Sequence, residues 1–72
     1  MGEEKELYEI GDWIKKLRRS RGISQMCFAE EVGVSEKTIS RIENGTTAIN
    51  ILLLLKMTKV LNVKLTEIVG TD

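Results

Sequence analysis

The twenty residues QMCFAEEVGVSEKTISRIEN, Gln25 to Asn44, constrain the fold more than any other part of the chain. Phe28, Ala29 and Val32, then Ile39 and Ile42, are spaced so that each set lies on one side of a helix. The tripeptide Gly33-Val34-Ser35 between them leaves no length for a loop. Two short helices must therefore meet at a sharp angle, with Val34 joining the apolar set that fills it. Ala29 is small where the helices cross most closely. Gly33 stands where the backbone leaves the first helix, a position suited to positive φ.

Helical spacing continues on both sides. Leu7, Ile10, Ile14 and Leu17 predict a first helix from about Leu7 or Gly11 to Arg21, with Gly22 as its stop. Ser24 caps the second helix and Gly33 ends it, while Ser35 caps a third that runs through Asn44 to Gly45. Asn50 caps a fourth helix reaching Leu61, where Asn62 closes it. Lys64 to Val69 predicts a short fifth helix ended by Gly70. No segment alternates with period two for long enough to form a strand. The expected fold is all-α.

A 72-residue chain makes one small domain near the lower edge of comfortable stability. With 42% hydrophobic residues, 31% charged, three aromatics and no proline, its core suits packed aliphatic helices. One cysteine, Cys27, forms no internal disulfide, and without histidine it supplies no structural zinc site. Nothing nearby is arranged to activate it as a redox sensor. The apolar stretch Ile49–Leu55 has six aliphatic residues in seven positions, far short of the ~20 that span a bilayer. MGEEKELYE is acidic and lacks the apolar run of a secretory signal. A cytoplasmic protein without membrane, metal or cofactor is the expectation. No histidine, no activated cysteine and no glycine-rich phosphate loop also argue against an enzyme.

Net charge is zero, yet the charges are segregated. Residues 1–12 carry Glu3, Glu4, Glu6, Glu9 and Asp12 against Lys5, while residues 13–21 carry Lys15, Lys16, Arg18, Arg19 and Arg21 with no acid. A neutral total can conceal a basic face, which is what a polyanion meets. Together with the angled pair of helices, this meets the requirements of a helix-turn-helix, whose second helix can project into a DNA major groove.

The segments IGDWIKKLRRSRGISQ, VGVSEKTISRIENG and LLKMTKVLNVKLTEIVG, with the small Ala29, resemble the lambda-repressor-like helix-turn-helix family of the Xre and Cro type. The resemblance spans Ile10 to Gly70. It implies a compact five-helix DNA-binding domain over 10–70, preceded by an acidic arm or helix extension over 1–9 and followed by a tail at 71–72. It also implies a sequence-specific transcriptional regulator of double-stranded DNA, in the form of a repressor. An antitoxin, or another protein-interaction module that also binds its own promoter, is the alternative.

A wheel of the third helix puts Lys37, Ser40, Arg41 and Asn44 outward, and the family's base-reading positions fall on Glu36, Lys37 and Arg41, with Ser40 as a secondary position. Arginine suits guanine O6 and N7 in a bidentate pair, lysine does so less rigidly, and glutamate accepts from cytosine N4. Gln25 resembles a family glutamine that anchors a phosphate and supports the reading helix. Helix N-termini and polar caps add Ser24, Asn44 and Thr46 as backbone contacts. Lys16 and Arg19 could add diffuse attraction. The resemblance further pairs Arg18 with Glu43, fixing the third helix to the scaffold.

Departures from the family pattern are Met26 and Cys27 in usually polar places, the acidic N-terminal segment, Lys64 before the fifth helix, and Ile49 where proline is common. In the fourth helix the resemblance turns Ile51, Leu54, Leu55, Met57, Thr58 and Leu61 inward, leaving Ile49, Leu52 and Leu53 over. Either the N-terminal segment folds back and covers these three with Leu7 or Tyr8, or, as preferred, they define a homodimer interface in the micromolar range or tighter, reading a near-palindromic operator with half-site centres ~34 Å apart.

Overall fold

The computed structural model describes residues 2–64, which form α1 (Gly2–Ser20), α2 (Gln25–Val32), α3 (Glu36–Glu43) and α4 (Ile51–Leu61). Among the described residues there is no strand, so this part of the fold is all-α. The fifth helix expected over 64–69 lies, from Leu65 onward, outside the described residues.

One device ends all four of these helices. After each comes a residue in the left-handed conformation: Gly22 (φ 68°), Gly33 (φ 91°), Gly45 (φ 72°) and Asn62 (φ 57°). The amide that follows reaches back to close the last turn, as in Ile23 N–H to the Arg18 carbonyl at 3.1 Å and Val34 N–H to that of Ala29 at 3.0 Å. Those next residues, Ile23, Val34 and Val63, pack against the core, except that Thr46 takes the place after α3. At Gly22-Ile23-Ser24 and Gly33-Val34-Ser35 the third residue then caps the following helix. Ser24 Oγ accepts from Cys27 N–H and Ser35 Oγ from Thr38 N–H, each at 3.1 Å. Three residues thus stop one helix, anchor the turn and start the next. Ser35→Ala should cost about 1 kcal/mol of stability, read as a lower urea midpoint with unchanged slope. An unchanged midpoint would mean that the cap is dispensable.

α1 begins earlier than the apolar spacing predicts, at Gly2 instead of Leu7 or Gly11. Its first turns are rich in glutamate, which favours the positive end of the helix dipole and carries good helix propensity. A packing contact supports the extension. A Cβ on Gly45 would lie 2.6 Å from Tyr8 Cα, so the α1 backbone passes directly over the turn after α3. Gly11, one turn further on, makes an equally close approach to the last turn of α3.

The core is one cluster: Ile14 from α1, Phe28, Ala29 and Val32 from α2, Ile39 and Ile42 from α3, and Leu54, Met57 and Leu61 from α4. α3 packs on both α1 and α2, and α4 packs on α2. The inward face of α4 is narrower than expected. Leu54, Met57, Thr58 and Leu61 are buried, but Ile51 and Leu55 are 59% and 39% exposed. The buried positions of α4 thus start at Leu54, while its first turn keeps Ile51 and Leu52 at the surface. Conversely, Ile49 and Leu53 are partly buried against the core, so of the three residues expected to be left over only Leu52 is fully so, at 69% exposed. No helix among the described residues is long and apolar enough to cross a membrane.

Candidate nucleic-acid interface

α3 is fixed from its inner side. Ile39 and Ile42 enter the core, and the Glu43 side chain, 1% exposed, receives three hydrogen bonds. Arg18 Nε donates to Glu43 Oε2 at 2.6 Å and Arg18 Nη2 to Oε1 at 3.1 Å, the parallel fork that guanidinium geometry allows. Arg18 Nη1 also donates to the Ile23 carbonyl at 2.6 Å, so one side chain ties α1 to the α1–α2 joint and to α3. The third bond comes from Gln25 Nε2, 3.0 Å from Glu43 Oε1. No buried side-chain polar atom among the described residues lacks a partner. The carboxylate is satisfied, and α3 is held in position and rotation.

The outer side is left free. Glu36, Lys37, Arg41 and Asn44 are exposed and Ser40 half-buried, a stripe along one face of α3. Polar groups at the ends of this unit differ in what they can still bond. Ser24 Oγ uses a lone pair to accept from Cys27 N–H, which leaves its proton for a phosphate oxygen. Gln25 spends one amide hydrogen on Glu43 and keeps a second. Thr46 Oγ donates to the Arg41 carbonyl at 3.1 Å, so its only proton is committed and it would have to turn to reach a phosphate.

The basic run of α1 is mostly absorbed by structure. Arg18 is buried in the pair with Glu43. Arg21 Nε donates to the Leu61 carbonyl at 2.6 Å, clasping the end of α4 to the end of α1. Lys16 pairs with Asp12 at 3.0 Å on the surface, an exposed contact worth little and easily exchanged. Arg19 is exposed and makes no such contact among the described residues. Nothing in the residue spacing points to the Arg21 clasp, since its two ends are 40 residues apart.

A separate exposed surface runs along α4, where Ile51, Leu52 and Leu55 form an apolar patch followed by exposed Lys56 and Lys59. The exposed fractions of the three aliphatic residues amount to less than two whole side chains. Burying them in two copies yields roughly 5–10 kcal/mol gross. Association costs of ~4–15 kcal/mol offset most or all of that.

A rigidly anchored helix, met at a three-residue turn by a second and free on its polar face, defines a helix-turn-helix domain. The chain matches the helix-turn-helix family HTH_3 over residues 14–68, and it belongs to that family of DNA-binding transcription regulators. It is 40% identical over 63 residues to the antitoxin PezA of Streptococcus pneumoniae serotype 4, a match covering 88% of this chain but only 40% of that protein. It is 36% identical over 55 residues to the HTH-type transcriptional regulator YgzD of Bacillus subtilis, covering 76% of this chain and 83% of YgzD. Among solved structures, an HTH_3 family transcriptional regulator from Vibrio cholerae aligns with a TM-score of 0.85 at 28% identity, over 97% of this chain and 39% of that one. The restriction-modification controller C.AhdI of Aeromonas hydrophila shares the fold, with a TM-score of 0.83 at 24% identity over 86% and 94% of the two chains. These relatives are regulators and an antitoxin, not enzymes.

Proposed function

We propose that the chain is a sequence-specific regulator of transcription, a cytoplasmic, nucleoid-associated repressor that reads the major groove of double-stranded DNA with α3. The observation that carries this reading is the division of α3. Its inner side is locked by Arg18, Glu43 and Gln25, while its outer side offers Glu36, Lys37, Ser40 and Arg41. An anchored helix holds side chains at fixed positions against base edges, which sequence discrimination needs. Ser24, Gln25 and Asn44 contact phosphates beside it, with Thr46 joining after a change of rotamer. Two copies on a near-palindromic operator double the few base pairs that one short helix covers.

Arg41→Ala should lose roughly 1–3 kcal/mol of specific binding and relax preference at one base pair, because its fork is matched to guanine. Gln25→Ala should instead weaken binding evenly across sequences. Selection from random duplex DNA, followed by titration at two salt concentrations, measures both effects. An unchanged preference and affinity in Arg41→Ala would sink the base-reading assignment.

A second reading has its own support in the 40% identity to an antitoxin. On that reading the chain also holds a protein partner while binding its own promoter. A toxin gene beside it, with a product that binds this chain, would favour that role.

A further inference from the structure

α1 crosses the turn after α3 at Tyr8. A Cβ on Gly45 would lie 2.6 Å from Tyr8 Cα and 3.1 Å from Tyr8 Cβ, so no side chain fits between the two backbones. The Tyr8 ring therefore leaves α1 from a fixed point beside Asn44 and Thr46, and it is exposed there. We infer that the Tyr8 hydroxyl donates to a DNA phosphate at this turn. The inference rests on the DNA-binding reading above, in which Asn44 and Thr46 are backbone contacts.

The turn itself has few donors left to offer. Asn44 N–H donates to the Ser40 carbonyl, Gly45 N–H to that of Ile42 and Thr46 N–H to that of Arg41, at distances of 3.0 or 3.1 Å. The Thr46 hydroxyl is spent on the Arg41 carbonyl as well. Of the turn's own groups, only the Asn44 side-chain amide can still reach outward. Tyr8 adds what is missing, a hydroxyl with no partner among the described residues. An exposed tyrosine alone needs no explanation. This one starts from a position set by backbone packing, beside a surface short of donors. Its charged neighbours on α1 limit the gain. Glu4 and Asp12 lie one turn to either side, against Lys5 alone, so the local charge opposes a phosphate. An uncharged phenol then contributes by hydrogen bonding and not by attraction between charges.

Tyr8→Phe tests the inference, because it removes only the hydroxyl and keeps the ring over Gly45. Urea unfolding of the variant should match wild type. The DNA probe is a duplex that wild type has selected from random sequence, titrated at two salt concentrations. Tyr8→Phe should bind it about three- to tenfold more weakly, with the same sequence preference. The slope of affinity against salt should not change, since a phenol releases no counterion. A second series replaces the phosphates of that duplex one at a time by uncharged methylphosphonates. At one position the replacement should weaken wild type severalfold more than Tyr8→Phe, which marks the phosphate that the hydroxyl meets. Equal affinity of variant and wild type, an altered salt slope, or a loss that no single phosphate accounts for would each overturn the inference. Equal affinity on a selected duplex removes the Tyr8 contact alone and leaves the reading by α3 intact. If wild type selects no sequence, the DNA-reading proposal fails and the Tyr8 contact falls with it.

Discussion

Arg18→Ala is expected to destabilise the protein by roughly 3–5 kcal/mol, the cost of stranding one member of a buried ion pair. For a chain of 72 residues, total stability of about 4–11 kcal/mol is typical. At the low end of that range, a large share of the molecules would be unfolded at room temperature. The variant removes two hydrogen bonds from Glu43 and one from the Ile23 carbonyl, leaving a 1% exposed carboxylate with only the Gln25 amide. Arg18→Lys keeps the charge but not the fork, so it should fall between wild type and alanine. The double change Arg18→Met with Glu43→Leu removes both charges together and should recover most of the loss, because neither is then left unpaired. Urea unfolding of the three variants measures this. A loss below ~1 kcal/mol in Arg18→Ala would show that water or a nearby cation reaches Glu43.

Gly11→Ala should destabilise by roughly 3 kcal/mol, against the usual preference of helices. Helix propensity alone predicts a gain of about 1 kcal/mol, since Gly11 lies well inside α1. Packing predicts the opposite. A methyl there would enter the van der Waals envelope of the Ile42 carbonyl oxygen and come 3.0 Å from the Glu43 carbonyl carbon. Both obstacles are backbone in the last turn of α3, with no side chain to swing aside. Inserting a methyl into a packed site costs ~1–3 kcal/mol and occasionally more, and contact with fixed backbone belongs at the upper end. Thermal unfolding of the variant decides between the two effects, and a raised midpoint would refute the packing argument. Because the displaced turn carries Glu43, the same substitution should also disturb the seat of α3.

Local chemistry made much of the fold legible. Ser24, Ser35 and Asn50 are caps because their side-chain oxygens reach amides three residues on. Gly33, Gly45 and Asn62 mark helix ends because few residues adopt the left-handed conformation easily. Three features were less accessible. The start of α1 has no cap signal, and Glu3 to Glu6 are all charged, so they carry no periodic contrast. On α4 the family pattern places Ile51 and Leu55 inward and Leu53 outward, the reverse of their burial, and the run Ile51–Leu55, aliphatic at every position, has no spacing that would correct it. The clasp from Arg21 to Leu61 joins distant residues, and no spacing rule connects them. At the candidate site, the outward stripe of α3 could be drawn from a helical wheel. No spacing rule links Arg18 to Glu43, 25 residues away, and only family resemblance pairs them. The committed proton of Thr46 depends on the turn that brings its hydroxyl to the Arg41 carbonyl.

The one-sided anchoring of α3 also bears on how such a chain diversifies. Its exposed positions 36, 37 and 41 supply no residue to the hydrophobic core or to the bonds around Glu43. Surface substitutions away from caps and buried contacts usually change stability by less than about 0.5 kcal/mol. Mutation can therefore exchange those side chains one at a time without first acquiring compensating changes elsewhere. Duplicated copies of the gene could drift toward different recognition sequences while keeping the same scaffold and the same melting behaviour.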